Sequence, residues 1–327
     1  MKKRRRKKLI SFALKLCLSA LLITLVFQKI DIDKIAALLK SANYDYFALA
    51  LLSIFLAQIF GGLRMQYYQM ASEFTLSRAY SLCMYFVGTL FNIVLPGGIG
   101  GDGYKAYYFH KRFKFPWTKT VLATLRGRSS GLFFLCFFLI AFAFFYKEHL
   151  NMIPFANELL IAALILIFPV YSICSKIFLK EPVRVQIGAM KYSFIVQLLN
   201  LFAIYFILHG IGGYGNIIGY ILVFLIANIV AIIPISFGGI GLREFTYVSL
   251  SGVMGLDSGI GVAASLLFYI IYTSVALLGF IPYLNLRKLD YFELKYQRRL
   301  NLQKFCISEA ELKAEEHDEE KDDDERL

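Results

Sequence analysis

Long apolar runs alternate along this chain with short, base-rich connections. Runs of span length fall at about 9–27, 46–63, 118–146, 159–175, 193–209 and 260–286. Each approaches the roughly 20 apolar residues that cross a bilayer as a helix. Residues 28–45 mix polar and apolar positions and predict a short amphipathic helix on the membrane surface.

Two further apolar segments, about 80–115 and 217–256, are interrupted. The first contains FNIVLPGGIGGDGYKAYYFHKR, from Phe91 to Arg112. Its apolar limb ends at Pro96, followed by Gly97, Gly98, Gly100 and Gly101, then Asp102, Gly103 and Lys105. About 140 residues later, NIVAIIPISFGGIGLREFTY repeats the plan, with Pro234, then Gly238, Gly239 and Gly241, then Arg243 and Glu244. Asn92 and Asn228 occupy the apolar limbs before the two breaks. Proline removes a backbone donor and clashes with the preceding turn, so each helix must break here. Broken backbone at membrane depth is tolerated only where protein or a wet cavity surrounds it. Matching interruptions in two halves of a transporter point to its binding site.

Loop charge sets the orientation. KKRRRKK at 2–8, the basic loops 64–79 and 176–192, and the stretch 287–304 belong on the cytoplasmic side. If 80–95 crossed fully, Lys105, Lys111, Arg112 and Lys114 would lie outside. A hairpin that enters and leaves on the cytoplasmic side removes the conflict, and the second hairpin then enters from outside. The expected fold is an all-α polytopic membrane protein of six full spans plus two re-entrant hairpins in an inverted repeat. A basic cytoplasmic N-terminus (1–8) precedes a membrane domain (9–286) with halves at about 9–146 and 159–286. A cytoplasmic tail (287–327) follows, acidic and disordered from 309.

Composition agrees. Of 327 residues 58% are hydrophobic and 18% charged, too few polar side chains to cover a soluble fold of this length. The net charge of +12 conceals segregation, because 11 of the 23 acids lie in 309–327. The remaining base excess flanks apolar spans, which fits anionic lipid headgroups rather than nucleic acid. The five cysteines have no CxxC spacing, and the histidines form no metal pattern; no cofactor is expected. GGIGGDG lacks the following G-K-[ST] of a phosphate-binding Walker loop.

Charge inside a membrane is costly and marks function. Asp102, Lys105, Arg126, Arg128, Arg243 and Glu244 are the candidates. Lys105, Arg128 and Arg243 can hold an anionic headgroup, with Asn92 and Asn228 adding neutral hydrogen bonds. Asp102 and Glu244 can orient these bases or bind a coupling proton. Inverted symmetry predicts acid from one half beside base from the other, Asp102 with Arg243 or Glu244 with Lys105. The alternatives are helix capping by both acids and anchoring of Arg126 at the headgroup level.

LPGGIGGDGYKAYYF, the R-x-x-G from Arg128 to Gly131, and IPISFGGIGLRE together resemble the flippase-like family, the transmembrane region of lysylphosphatidylglycerol synthases. The resemblance runs to about residue 290. It implies a multi-pass protein of the inner or cytoplasmic membrane that handles lipids. In the fused synthases this region is thought to flip aminoacylated phosphatidylglycerol, and a soluble aminoacyl-transfer domain follows it. Here an acidic tail follows the last span, so synthesis of lysylphosphatidylglycerol by this chain alone is not expected. Where many members of the family carry an acid before the arginine of R-x-x-G, this chain has Gly127, which removes that ion-pair partner.

The expected function is therefore binding and translocation of an anionic phospholipid or polyprenyl-phosphate-linked lipid. Alternatives are a membrane-embedded glycosyl- or phosphotransferase on a lipid carrier, with Asp102 or Glu244 as base, and an accessory subunit of a cell-envelope synthase. The expected partners are membrane lipids and, for the accessory reading, a cell-envelope biosynthetic enzyme.

Overall fold

The structure, a computed structural model, describes residues 40–72, 74–95, 100–146, 155–213, 215–232 and 241–304. All regular structure among these residues is α-helical. In chain order the helices are α1 (Tyr44–Ala71), α2 (Arg78–Val94), α3 (Gly100–Phe113), α4 (Trp117–Phe145), α5 (Ala156–Leu179) and α6 (Val183–Gly210). They continue with α7 (Ile217–Ala231), α8 (Leu242–Val253), α9 (Ser258–Leu277), α10 (Phe280–Leu284) and α11 (Leu286–Lys304). Five helical segments, 44–71, 117–145, 157–179, 183–210 and 258–284, are long and apolar enough to cross a membrane. The expected first span (9–27) and the acidic tail lie outside the described residues, as does the surface helix at 28–45 apart from its last residues.

Local chemistry explains where the helices start. Asn43, Ser77, Asn216 and Asp257 cap α1, α2, α7 and α9, each accepting a backbone N–H from the first turn. Such caps satisfy donors that helix geometry leaves without partners.

The central pair is α1 and α6, packed antiparallel. Phe47 lies against Gly210, Arg64 donates to Ser193 at 3.4 Å, and Tyr67 lies against Gly188. Small residues (Ala50, Ala57, Ala189, Ala203) line these buried faces, which lets the helix backbones approach closely. Around them α4, α7 and α9 complete an apolar core that includes Phe133, Phe134, Phe224 and Phe268. On the periphery, α5 exposes Leu159, Ile165, Leu166, Ile173 and Ile177. A continuous exposed apolar surface of this kind suits lipid rather than water.

Each interrupted segment folds as a helical hairpin. In the first, Phe91 stacks on Tyr104 (centroids 4.2 Å apart) near the break, and Tyr80 meets Phe113 at the open end. In the second, Tyr220 on α7 accepts from the backbone of Asp257, while Tyr247 on α8 points to the Tyr220 carbonyl. The first hairpin opens beside the C-terminal end of α1. The second opens after the end of α6, where Asn43 donates to the Gly210 carbonyl at 2.9 Å. The open ends of the two hairpins therefore lie at opposite ends of the α1–α6 pair.

Some boundaries moved. The helix at 46–63 runs on to Ala71, because Arg64 finds Ser193 within the protein and Tyr68 and Gln69 are buried. The last apolar run divides into α9 and α10 near Gly279, which packs against the Phe86 carbonyl. The basic stretch that follows is helical, as α11.

Candidate functional site

The first hairpin is fastened across its break by backbone chemistry. The Asn92 side-chain oxygen on α2 accepts the Gly101 N–H on α3 at 2.9 Å. A side chain of one limb thus satisfies a free donor at the start of the other. Gly101 sits so close to the Gly88 carbonyl that a Cβ there would overlap it. That close approach requires glycine.

Asp102, in the first turn of α3, is 9% exposed. It pairs with Lys105 at 2.8 Å and accepts from Nε of Arg128 on α4. The Lys105 stem crosses Gly88, and its ammonium lies 5.2 Å from the centre of the Tyr85 ring. Lys105 is 6% exposed, so carboxylate and ring together hold it in place.

Arg126 and Arg128 sit two positions apart and do different work. Arg126 is buried and donates to the Leu179 and Lys180 carbonyls at 2.9–3.2 Å and to Ser72. It closes the C-terminus of α5, where carbonyls lack helical partners. This is a structural role within the bundle. Arg128, with its side chain 35% exposed, faces a cavity instead. In place of an acid beside it on α4, its partner is Asp102 on α3.

The second hairpin has the same layout with different bonds. Gly241 has φ 85°, a left-handed conformation that glycine adopts without strain. Glu244 reaches back to the Gly241 N–H at 2.8 Å and accepts from Ser265 at 2.9 Å. The capping alternative therefore holds for Glu244. Asn228 on α7 donates to the Phe224 carbonyl at 2.8 Å. Arg243 makes no hydrogen bond or ion pair among the described residues, and its Nε is shut off from water without an acceptor.

A cavity of about 290 Å³ brings these positions together. Asn92 and Arg128 from the first half and Asn228 and Arg243 from the second half all line it. Gln197 and Asn200 of α6 and Tyr269 and Tyr272 of α9 add polar groups, and Leu135, Phe224 and Phe268 supply apolar wall. A neighbouring cavity of about 190 Å³ contains Arg64, Asp102 and Lys105. Asn92, Arg128 and Tyr272 line both.

The expected acid–base contact between halves does not form. Asp102 pairs with Lys105 and Arg128, and Glu244 pairs with Gly241 and Ser265. Asp102 and Lys105 stand three apart on one helix, a spacing that brings side chains together and satisfies both locally. Pro96, Gly97, Gly98, Pro234, Gly238 and Gly239 lie outside the described residues. Gly100 opens α3, with a Cβ there meeting Leu95.

Sequence reasoning missed Gln197, Asn200, Tyr269, Tyr272 and Arg64. Gln197 and Asn200 carried a readable signal: two carboxamides three apart inside an apolar helix share a face. The tyrosines gave none, since aromatic residues are spread throughout the spans.

No match to a curated protein was found. The model of the lysylphosphatidylglycerol synthase TM region matches residues 12–279, a stretch that contains both hairpins and every polar residue lining the cavity, and the chain belongs to that family.

Proposed function

We propose that this chain binds an anionic, phosphate-bearing lipid between its two halves and moves it across the membrane. The observation that carries the reading is the cavity walled by Arg128 and Asn92 from one half and Arg243 and Asn228 from the other. Arginine donates in a planar fork that matches a phosphodiester. The apolar wall from Phe224, Phe268 and Leu135 suits the upper part of acyl or prenyl chains.

In this reading the hairpins are re-entrant and the halves form an inverted repeat. With 15 residues, α7 reaches about 22 Å, and with 12, α8 reaches about 18 Å, both short of a ~30 Å hydrocarbon core. The hairpins' open ends at opposite ends of the α1–α6 pair support entry from opposite surfaces. The basic helix α11 and the basic N-terminus support a cytoplasmic position for both termini at a cell membrane. The committed state of both acids favours transport over chemistry: Asp102 is ion-paired and Glu244 caps a helix, which leaves neither carboxylate poised as a base.

Reconstitution into vesicles with a fluorescent phosphatidylglycerol tests the proposal. Wild-type protein should expose inner-leaflet probe to a membrane-impermeant quencher faster than protein-free vesicles, and Arg243→Gln should remove most of that rate. Equal rates with and without protein would contradict it.

A further inference from the structure

A second polar cluster lies beneath the turn between α5 and α6. Glu181, in that turn, and Tyr68 on α1 are fully buried. Ser175 on α5 donates to one carboxylate oxygen, Oε2. The other, Oε1, makes no hydrogen bond among the described residues, and neither do the hydroxyls of Tyr68 and Tyr171 beside it. Polar atoms buried in this way are uncommon and call for an explanation. Arg126 on α4 is the cation that acts on the carboxyl, but its donors go to the Leu179 and Lys180 carbonyls and to Ser72. From α6, the neutral Gln186 donates to the Glu181 backbone carbonyl at 3.2 Å. Lys180 and Arg184, the bases flanking Glu181 in sequence, are exposed, so water reaches the turn one residue from the carboxyl.

From this cluster a row of hydroxyls leads towards the cavities. Tyr68 lies beside Ser130 on α4. Ser193 on α6 donates to Ser130 at 2.9 Å, and Arg64 on α1 donates to Ser193 at 3.4 Å. Arg64 lines the smaller cavity together with Asp102, Lys105 and Arg128. A hydroxyl both donates and accepts, so turning one reorients the next. An ionised Glu181 accepts from Tyr68. A neutral Glu181 donates to it instead and turns the Tyr68 proton towards Ser130. Burial raises the Glu181 carboxyl above the ordinary 4.5, which brings exchange between these two states nearer to neutral pH.

We propose that Glu181 is a proton-binding site whose charge state is passed through Tyr68, Ser130 and Ser193 to Arg64 on the cavity wall. Uptake forms an O–H bond on the carboxylate with a proton from water at the turn, and release returns that proton. No electron moves and no other covalent bond changes. The site itself stands on the cluster alone; its coupling to transport rests on the lipid-translocation reading above.

Two measurements on the full chain in vesicles test this. The first is an infrared difference titration, which needs no transport. Wild-type protein should show a protonated-carboxyl band that persists above the ordinary carboxylate range of about 4, and Glu181→Gln should lose it. Absence of the band in wild type, or its survival in Glu181→Gln, overturns the proton site. The second is the transport rate of fluorescent phosphatidylglycerol as a function of pH. Wild type should follow a single-proton curve at the pH where the band titrates, and Glu181→Gln should lose that dependence. Ser193→Ala should keep the band and lose the pH dependence of transport. Equal pH profiles in wild type and Glu181→Gln overturn the coupling, and an unchanged profile in Ser193→Ala overturns the hydroxyl route. A rate that follows sodium concentration at fixed pH, and loses this in Glu181→Gln, assigns the site to a metal cation and overturns the proton. Wild-type protein that moves no lipid at any pH contradicts the transport reading and the coupling together, while the infrared titration still decides the proton site.

Discussion

Arg128 and Arg243, far apart in the chain and carried by different halves, wall one cavity, yet only Arg128 has a carboxylate partner among the described residues. The asymmetry gives them different roles. Arg128 is positioned by Asp102, whereas Arg243 has a buried Nε that meets no acceptor among the described residues. A desolvated donor without a partner is unfavourable in the empty protein and becomes favourable when an anion arrives.

Arg243→Gln should therefore abolish most lipid transport without loss of stability, and thermal unfolding in detergent should be unchanged or raised. Removing a group that matters only when ligand is bound commonly separates activity from stability in this way. A large fall in unfolding temperature would instead assign Arg243 a structural role.

Asp102→Asn should be damaging by another route. It leaves Lys105, 6% exposed, without its partner, a loss of roughly 3–5 kcal/mol for a broken buried pair. Lys105→Met on the Asp102→Asn background should recover part of that loss. Urea or thermal unfolding of the single and double variants measures the coupling, and strict additivity would contradict the pair.

Much of this arrangement was legible in sequence, because its causes are local. Proline and glycine after an apolar limb force a break, and both breaks became hairpins with Asn92 and Asn228 on one cavity. What sequence symmetry did not determine was the reach of side chains. It set which elements meet, but Asp102 found Lys105 on its own helix before any base of the other half. Arg64 marked the end of a span by charge, yet Ser193 on a neighbouring helix let α1 continue to Ala71. Contacts made through tertiary packing, such as Tyr272 on the wall of both cavities, left no periodic trace.

Glycine substitutions separate close packing from simple helix content. Gly101→Ala should disrupt the first hairpin, since its Cβ would overlap the Gly88 carbonyl, at about 1–3 kcal/mol for overpacking. Gly103→Ala, two positions on, meets nothing within 4 Å and should be neutral or slightly stabilising. Unfolding and transport rates for the pair check this, and equal effects at both positions would contradict the close approach.

Glu181, in the turn between α5 and α6, gives a pH dependence outside the spans. Burial raises its carboxyl above the ordinary 4.5, against the opposing Ser175 hydrogen bond and Arg126 charge. Because the folded value is raised, its contribution to stability is complete below the unfolded value and is lost as pH rises through the folded one. Glu181→Gln, which stays neutral, should flatten that fall. Unfolding temperature as a function of pH for both proteins measures it, and parallel curves would show that Glu181 does not titrate with folding.

The proposed transport requires two hairpins that enter from opposite surfaces and meet at one cavity. Single cysteines at positions 110 and 253, both exposed near the open ends of the first and second hairpins, report this directly in a background without the five native cysteines. The measurement is labelling by a membrane-impermeant maleimide in intact cells and in inverted vesicles. The prediction is that 253 reacts only from outside and 110 only from the cytoplasmic side. Reaction of both from the same side would contradict the inverted arrangement, and with it translocation through a cavity shared by the two halves.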